Sequence, residues 1–179
     1  MAGDDTYSNV SRLCYRAIHP LSNKIVEKLS NHDDYHHRNN ITTGAVCVYP
    51  LRVGDCRQYL DRIDSNLSIA SVVAGFPSGQ SPITVTLADI TFAIQSGANE
   101  IDIVINRSLV LAGKWQELFN EIKIIAQHCH DQNVHLKVIL SCGELGNLQN
   151  IYKVCNHHYK NHYSMTTIYF CSYRHRCVP

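Results

Sequence analysis

From Ile41 onward the chain repeats a short apolar run followed by a helical period, and that rhythm restricts the fold more than any other feature. Ala45-Val46-Cys47-Val48-Tyr49 reads as a buried strand stopped by Pro50, with a helical pattern over residues 53–63 behind it. Ile69-Ala70-Ser71-Val72-Val73-Ala74-Gly75-Phe76-Pro77 is the second run, Ser78-Gly79-Gln80 its exit turn, and residues 84–96 its helix, ended by Gly97 as a C-cap. A third strand begins at Glu100, with a helix that includes residues 115–125, and a fourth runs from His135 to about Ser141. Near-continuous apolar strands alternating with amphipathic helices imply a parallel sheet, either open and doubly wound or closed into a barrel. Gly75-Phe76-Pro77-Ser78-Gly79 has neither the dinucleotide nor the P-loop spacing, which disfavours a nucleotide-binding open sheet.

Ahead of this repeat, Asp4-Asp5-Thr6 caps a helix over residues 7–18, with Val10, Leu13, Cys14 and Ala17 on one face. Pro20 ends it, and a second helix is expected over residues 23–29. His32-Asp33-Asp34-Tyr35-His36-His37-Arg38-Asn39-Asn40 has no apolar period; its spacing fits no standard metal site, so it reads as a solvated loop.

Two of the strands carry a charge inside an apolar run. In Glu100-Ile101-Asp102-Ile103-Val104-Ile105-Asn106-Arg107, alternation sets Asp102, Val104 and Asn106 on one face and the three isoleucines on the other. In the fourth strand, Lys137, Ile139 and Ser141 share a face. An ionised side chain cannot be buried alone, so each must be paired, neutralised or open to a cavity. Consecutive strands in such folds are neighbours as a rule, which brings the two groups into one interior. A Lys and an Asp in one cavity suit proton transfer, or amine chemistry on a carbonyl if burial lowers the lysine toward its nucleophilic form. An internal ion pair with no catalytic role fits the same spacing. Cys47, also strand-buried, reads as a packed thiol.

Composition narrows the partners. The 179 residues suffice for one domain with a sizeable core, and a formal net charge of +1 gives no basic face for nucleic acid or an anionic membrane. No apolar run reaches the roughly 18 residues of a membrane span, and Met1-Ala2-Gly3-Asp4-Asp5 does not begin a signal peptide, so a cytosolic chain with a small-molecule site is expected. Of the eight cysteines, Cys14, Cys47, Cys56, Cys129 and Cys142 are scattered singly without paired spacing and read as reduced thiols.

Ala45-Val46-Cys47-Val48-Tyr49-Pro50, Ala74-Gly75-Phe76-Pro77-Ser78-Gly79, Glu100 through Arg107, and Leu136-Lys137-Val138-Ile139-Leu140 followed by Gly143-Glu144-Leu145-Gly146 together resemble the deoxyribose-phosphate aldolase family, in its animal-type form. The resemblance covers about residues 3–154. It implies a TIM-type (β/α)8 barrel and a class I aldolase, without metal or other cofactor, that cleaves 2-deoxyribose 5-phosphate to glyceraldehyde 3-phosphate and acetaldehyde through a lysine Schiff base. By the same resemblance Asp102 matches the proton-relay aspartate, Lys137 a pocket lysine that does not form the Schiff base, and Cys47 a thiol near the substrate.

The family's first strand falls ahead of Gly3, and the strands bearing the Schiff-base lysine and its partner lysine follow the helix that begins near Gly146; neither lysine motif is found here. The expected fold is therefore a partial barrel of about four strands over residues 1–154. Residues 155–179 hold no Asp or Glu and are rich in Tyr, His and Cys, a composition that reads as a divergent tail, disordered or foreign to the fold. A zinc site from Cys155, His157, His158, Cys171 and Cys177 has no recognised ligand spacing. Ile168-Tyr169-Phe170 could pass as a short strand but carries no lysine. A half barrel leaves two open strand edges, which predicts self-association, and loss of the lysine and of the later phosphate-binding loops predicts an inactive polypeptide. The alternative is a non-catalytic half barrel that pairs with itself or with full-length aldolase subunits.

Overall fold

The computed structural model describes residues 6–21, 25, 43–160 and 166–169. The expected loop at residues 32–40, and all but Ile25 of the expected helix at 23–29, lie outside them.

Helix α1 (Tyr7–Ile18) begins where the sequence places it: Thr6 Oγ1 accepts the amide of Asn9 at 3.3 Å. Its buried residues Val10, Cys14 and Ala17 recur at helical spacing, and this face lies against β1 and the first helix of the repeat. The repeat then runs β1 (Ala45–Val48), α2 (Val53–Arg62), β2 (Ser68–Val73), α3 (Ile83–Gln95), β3 (Glu100–Val104), α4 (Arg107–Leu111), α5 (Trp115–Asp131), β4 (His135–Ile139), α6 (Leu148–Lys160) and β5 (Thr166–Tyr169). All five strands are parallel and lie in chain order, so every neighbour in the sheet is a neighbour in sequence.

The strands separate two environments. Val46, Val48, Ile69, Val73, Ile101, Ile103, Leu136 and Val138 point toward the helices and pack with Ile90, Ala93, Leu118 and Ile122 in one apolar core. Each such side chain contributes about 1.5–3 kcal/mol by leaving water. The register is fixed near the start of the strands by Asn99. Its side-chain oxygen accepts the amide of Ile69 at 3.1 Å, its own amide donates to the Ile69 carbonyl, and its carbonyl accepts the amide of His135 at 3.3 Å. One residue thus ties β2, β3 and β4 together.

Three details differ from the sequence expectation. β2 stops at Val73 rather than reaching Pro77, because Ala74 and Gly75 turn into left-handed backbone, φ 62° and 63°. The residues after Asn106, which the sequence leaves without an element ahead of the helix that includes 115–125, form the short helix α4. After Val154 the chain stays regular: α6 continues to Lys160, and β5 pairs with β4, Leu136 to Thr166 through Ile139 to Tyr169. Helix α6 runs across residues 154 and 155, and β5 joins the four strands read from the sequence. Among the described residues no helix is long and apolar enough to cross a membrane.

Candidate active site

The face of the sheet turned away from the helices carries the charges. Glu100 and Asp102 stand two apart on β3, and the register sets Asp102 directly beside Lys137 of β4. Lys137 Nζ lies 2.8 Å from Asp102 Oδ1 and 3.0 Å from Glu100 Oε2. The three side chains are only 11–22% exposed, so the ammonium sits between two carboxylates with little water to screen them. Cys47 of β1 completes the group, its thiol donating to Asp102 Oδ2 at 3.5 Å. The contact spans β2, where the residue level with Cys47 and Glu100 is Ala70, whose methyl leaves room for the sulfur to reach across.

Asp102, Lys137 and Cys47, the three residues singled out from sequence, therefore meet in one cluster. Glu100 belongs to it as well and was not singled out. Its signal was its parity: two residues before Asp102 on one strand, it shares that residue's face.

The charge states follow from the packing. Burial pulls the Lys137 ammonium down, but the hydrogen bonds and charges of Asp102 and Glu100 outweigh it and hold the group above the ordinary lysine range. The lowering expected from burial alone does not occur, because two carboxylates stand within 3.0 Å. Cys47 is exposed, yet the groups crowded about its sulfur, and then the Asp102 charge, push its thiol up to about 12. At neutral pH it is a neutral donor and a poor nucleophile.

Beyond the carboxyl ends of the strands the loops are bound to one another. Arg107, first residue of α4, donates from Nε to the Ser78 carbonyl at 3.2 Å and pairs through Nη1 with Glu144 Oε2. Gln80 Nε2 donates to Ser108 Oγ at 3.0 Å. Gly79 is seated against β3's exit: with φ at +70° it takes a backbone that side chains disfavour, and a Cβ there would collide with the Ile105 carbonyl. Of the proposed zinc ligands, Cys155 lies on α6 and is a free thiol; the side chains of His157, His158, Cys171 and Cys177 lie outside the described residues.

A parallel sheet in chain order, with helices on one face and an ionic cluster on the other, is the layout of a barrel enzyme with acid–base groups inside. Residues 3–152 match the model of the DeoC/LacD family of aldolases, and the chain belongs to that family. The deoxyribose-phosphate aldolase of Homo sapiens is 48% identical over 153 residues, covering 86% of this chain and 46% of that protein. The chain thus spans about half the length of the curated relatives it matches. Among solved structures, the aldolase QR15 aligns at a TM-score of 0.68 and 20% identity over 92% of this chain and 61% of its own. The tetrameric deoxyribose phosphate aldolase of Aeropyrum pernix aligns at 0.61 and 19% over 91% and 56%. At those identities the two structures speak for the fold, that of a partial barrel.

Proposed function

We propose that this chain carries the proton-handling side of a deoxyribose-phosphate aldolase site and not its carbonyl-capturing side. The observation that carries the reading is the state of Lys137. It is the one lysine on the described strands, and a protonated amine held by two carboxylates has no lone pair for a carbonyl carbon. In the family reaction, cleavage of 2-deoxyribose 5-phosphate to glyceraldehyde 3-phosphate and acetaldehyde, Asp102 is the group that would pass the proton. Its Oδ2 edge faces the Cys47 thiol rather than the ammonium, and Lys137 and Cys47 would line the substrate pocket beside it. A Schiff base needs another lysine, so the polypeptide by itself is inactive.

Borohydride reduction in the presence of deoxyribose 5-phosphate, followed by peptide mass spectrometry, tests this. Lys137 is expected to stay unmodified, with no acetaldehyde released. A reduced adduct on Lys137, or acetaldehyde release abolished by Asp102→Asn, would overturn the reading.

The linear strand order favours a second role beside it. Among the described residues β1 and β5 each pair on one side only, and an open parallel edge is a template for another chain. Self-association, or pairing with full-length aldolase subunits, is the expected use, and a monomer in size-exclusion chromatography at micromolar concentration would argue against it. The family match ends at residue 152, close to the composition change at Cys155, which supports treating residues 155–179 as an appended segment whose β5 is recruited to the sheet. Cysteines held as thiols rather than disulfides among the described residues are in keeping with a reducing, cytosolic setting.

A further inference from the structure

Glu100 has no part in the reaction as outlined, yet it makes one of the two close contacts to Lys137. One carboxylate is enough to balance one ammonium, and Asp102 already stands beside Lys137 in register. The ammonium nevertheless also reaches Glu100 Oε2, two residues earlier on β3. At about 3.3 Å of rise per residue, Glu100 is rooted roughly 6.6 Å further toward the amino ends of the strands, away from the carboxyl ends where barrels bind their substrates. The ammonium is therefore shared between a carboxylate at its own level and one rooted nearer the amino ends, and the Asp102 edge it leaves unpaired, Oδ2, is the one reached by Cys47.

We propose that Glu100 is a positioning residue that anchors Lys137 toward the amino ends of the strands, keeping its ammonium out of the substrate mouth and the Oδ2 edge of Asp102 open for proton transfer. A lysine stem has four flexible carbons, so without a second anchor the same ammonium can swing toward the mouth and compete for the carbonyl there. Among the described residues, each strand of the sheet offers the following groups at the level of Lys137. From β3 they are Glu100 and Asp102, and from β1 the neutral Cys47 thiol. β2 offers only Ala70 and Val72 at those levels, β4 adds His135 beside Glu100 in register, and β5 places Thr167 opposite Lys137. The two carboxylates are thus the anions that fix its charge, and removing either one shifts it downward.

The inference rests on the aldolase reading of this face, but its test needs no turnover. With 13C-labelled lysine, the Cε resonances report protonation at pH 10.5, where an ordinary lysine is about half titrated. In the wild-type chain Lys137 is expected to remain an ammonium at this pH. In Glu100→Gln, which keeps the size and removes the charge, its midpoint falls by about one unit, a tenfold rise in free amine. Lys137 titrating at or below the ordinary lysine value in wild type, or unmoved in Glu100→Gln, overturns the proposal. The wild-type reading decides alone if the variant does not fold. Failure here leaves the borohydride result standing, and an adduct on Lys137 in that experiment leaves this titration to be judged separately.

Discussion

The two faces of β3 lie one residue apart and obey different rules. Ile101 and Ile103 point into the helix-covered core, where fit and volume decide everything. Glu100 and Asp102 point the other way, where what matters is that two negative groups share one positive one. The helix-covered face fixes the fold, and the charged face, which adds little to the fold, fixes the chemistry.

Breaking the comparison from the core side gives the largest effect. Ile101→Ala leaves a cavity under α3 and α5 and is expected to cost about 4 kcal/mol in urea unfolding, with no change in the titration of Lys137. From the charged side, Lys137→Met leaves Asp102 and Glu100 facing one another without their cation. A loss of about 3 kcal/mol in urea unfolding at pH 8 is expected, and adding Glu100→Gln and Asp102→Asn, which removes the stranded charges, should recover much of it. An equal loss with and without those two changes would mean that Lys137 acts as filler.

The alkaline limb sharpens the contrast further. Cys129, buried on α5, has its thiol pushed up to about 12 by burial, so above about pH 8.5 the unfolded chain ionises while the folded chain does not. Stability should fall by about 1.4 kcal/mol per pH unit through this window, and Cys129→Ala should flatten the slope. Lys137 adds to it: raised in the folded state, its contribution is complete below about pH 10.4 and is lost as pH climbs through the folded value. The smallest effect belongs to Cys47. Alkylation by iodoacetamide at pH 8 is expected to be slow despite the exposure of the thiol, and to quicken about three- to tenfold in Asp102→Asn as the neighbouring negative charge is removed.

Periodicity made the first half of this legible. Alternation alone placed Asp102 opposite the isoleucines, and consecutive strands put Lys137 beside it, as the register shows. Glu100 escaped because a charged residue at a strand's first position looks like the end of a turn; only its parity with Asp102 marks it. β2 was read too long because Ala74 continues the apolar run in composition while its φ of 62° ends the strand in space. β5 shows a different limit. Four residues of Thr, Ile and Tyr suit a strand by type but are too short a run to specify one, and what makes them a strand is the hydrogen-bonding edge of Leu136 to Ile139, a partner some 30 residues away.

Arg107 has a consequence for motion. Because one guanidinium holds both the Ser78 carbonyl and Glu144, with Gln80–Ser108 as a second tie between the first two, the segments that follow β2, β3 and β4 are fastened together. Their amides should then open to solvent exchange together, as one cooperative unit, and Arg107→Ala should release the segment after β4 to exchange at its own rate.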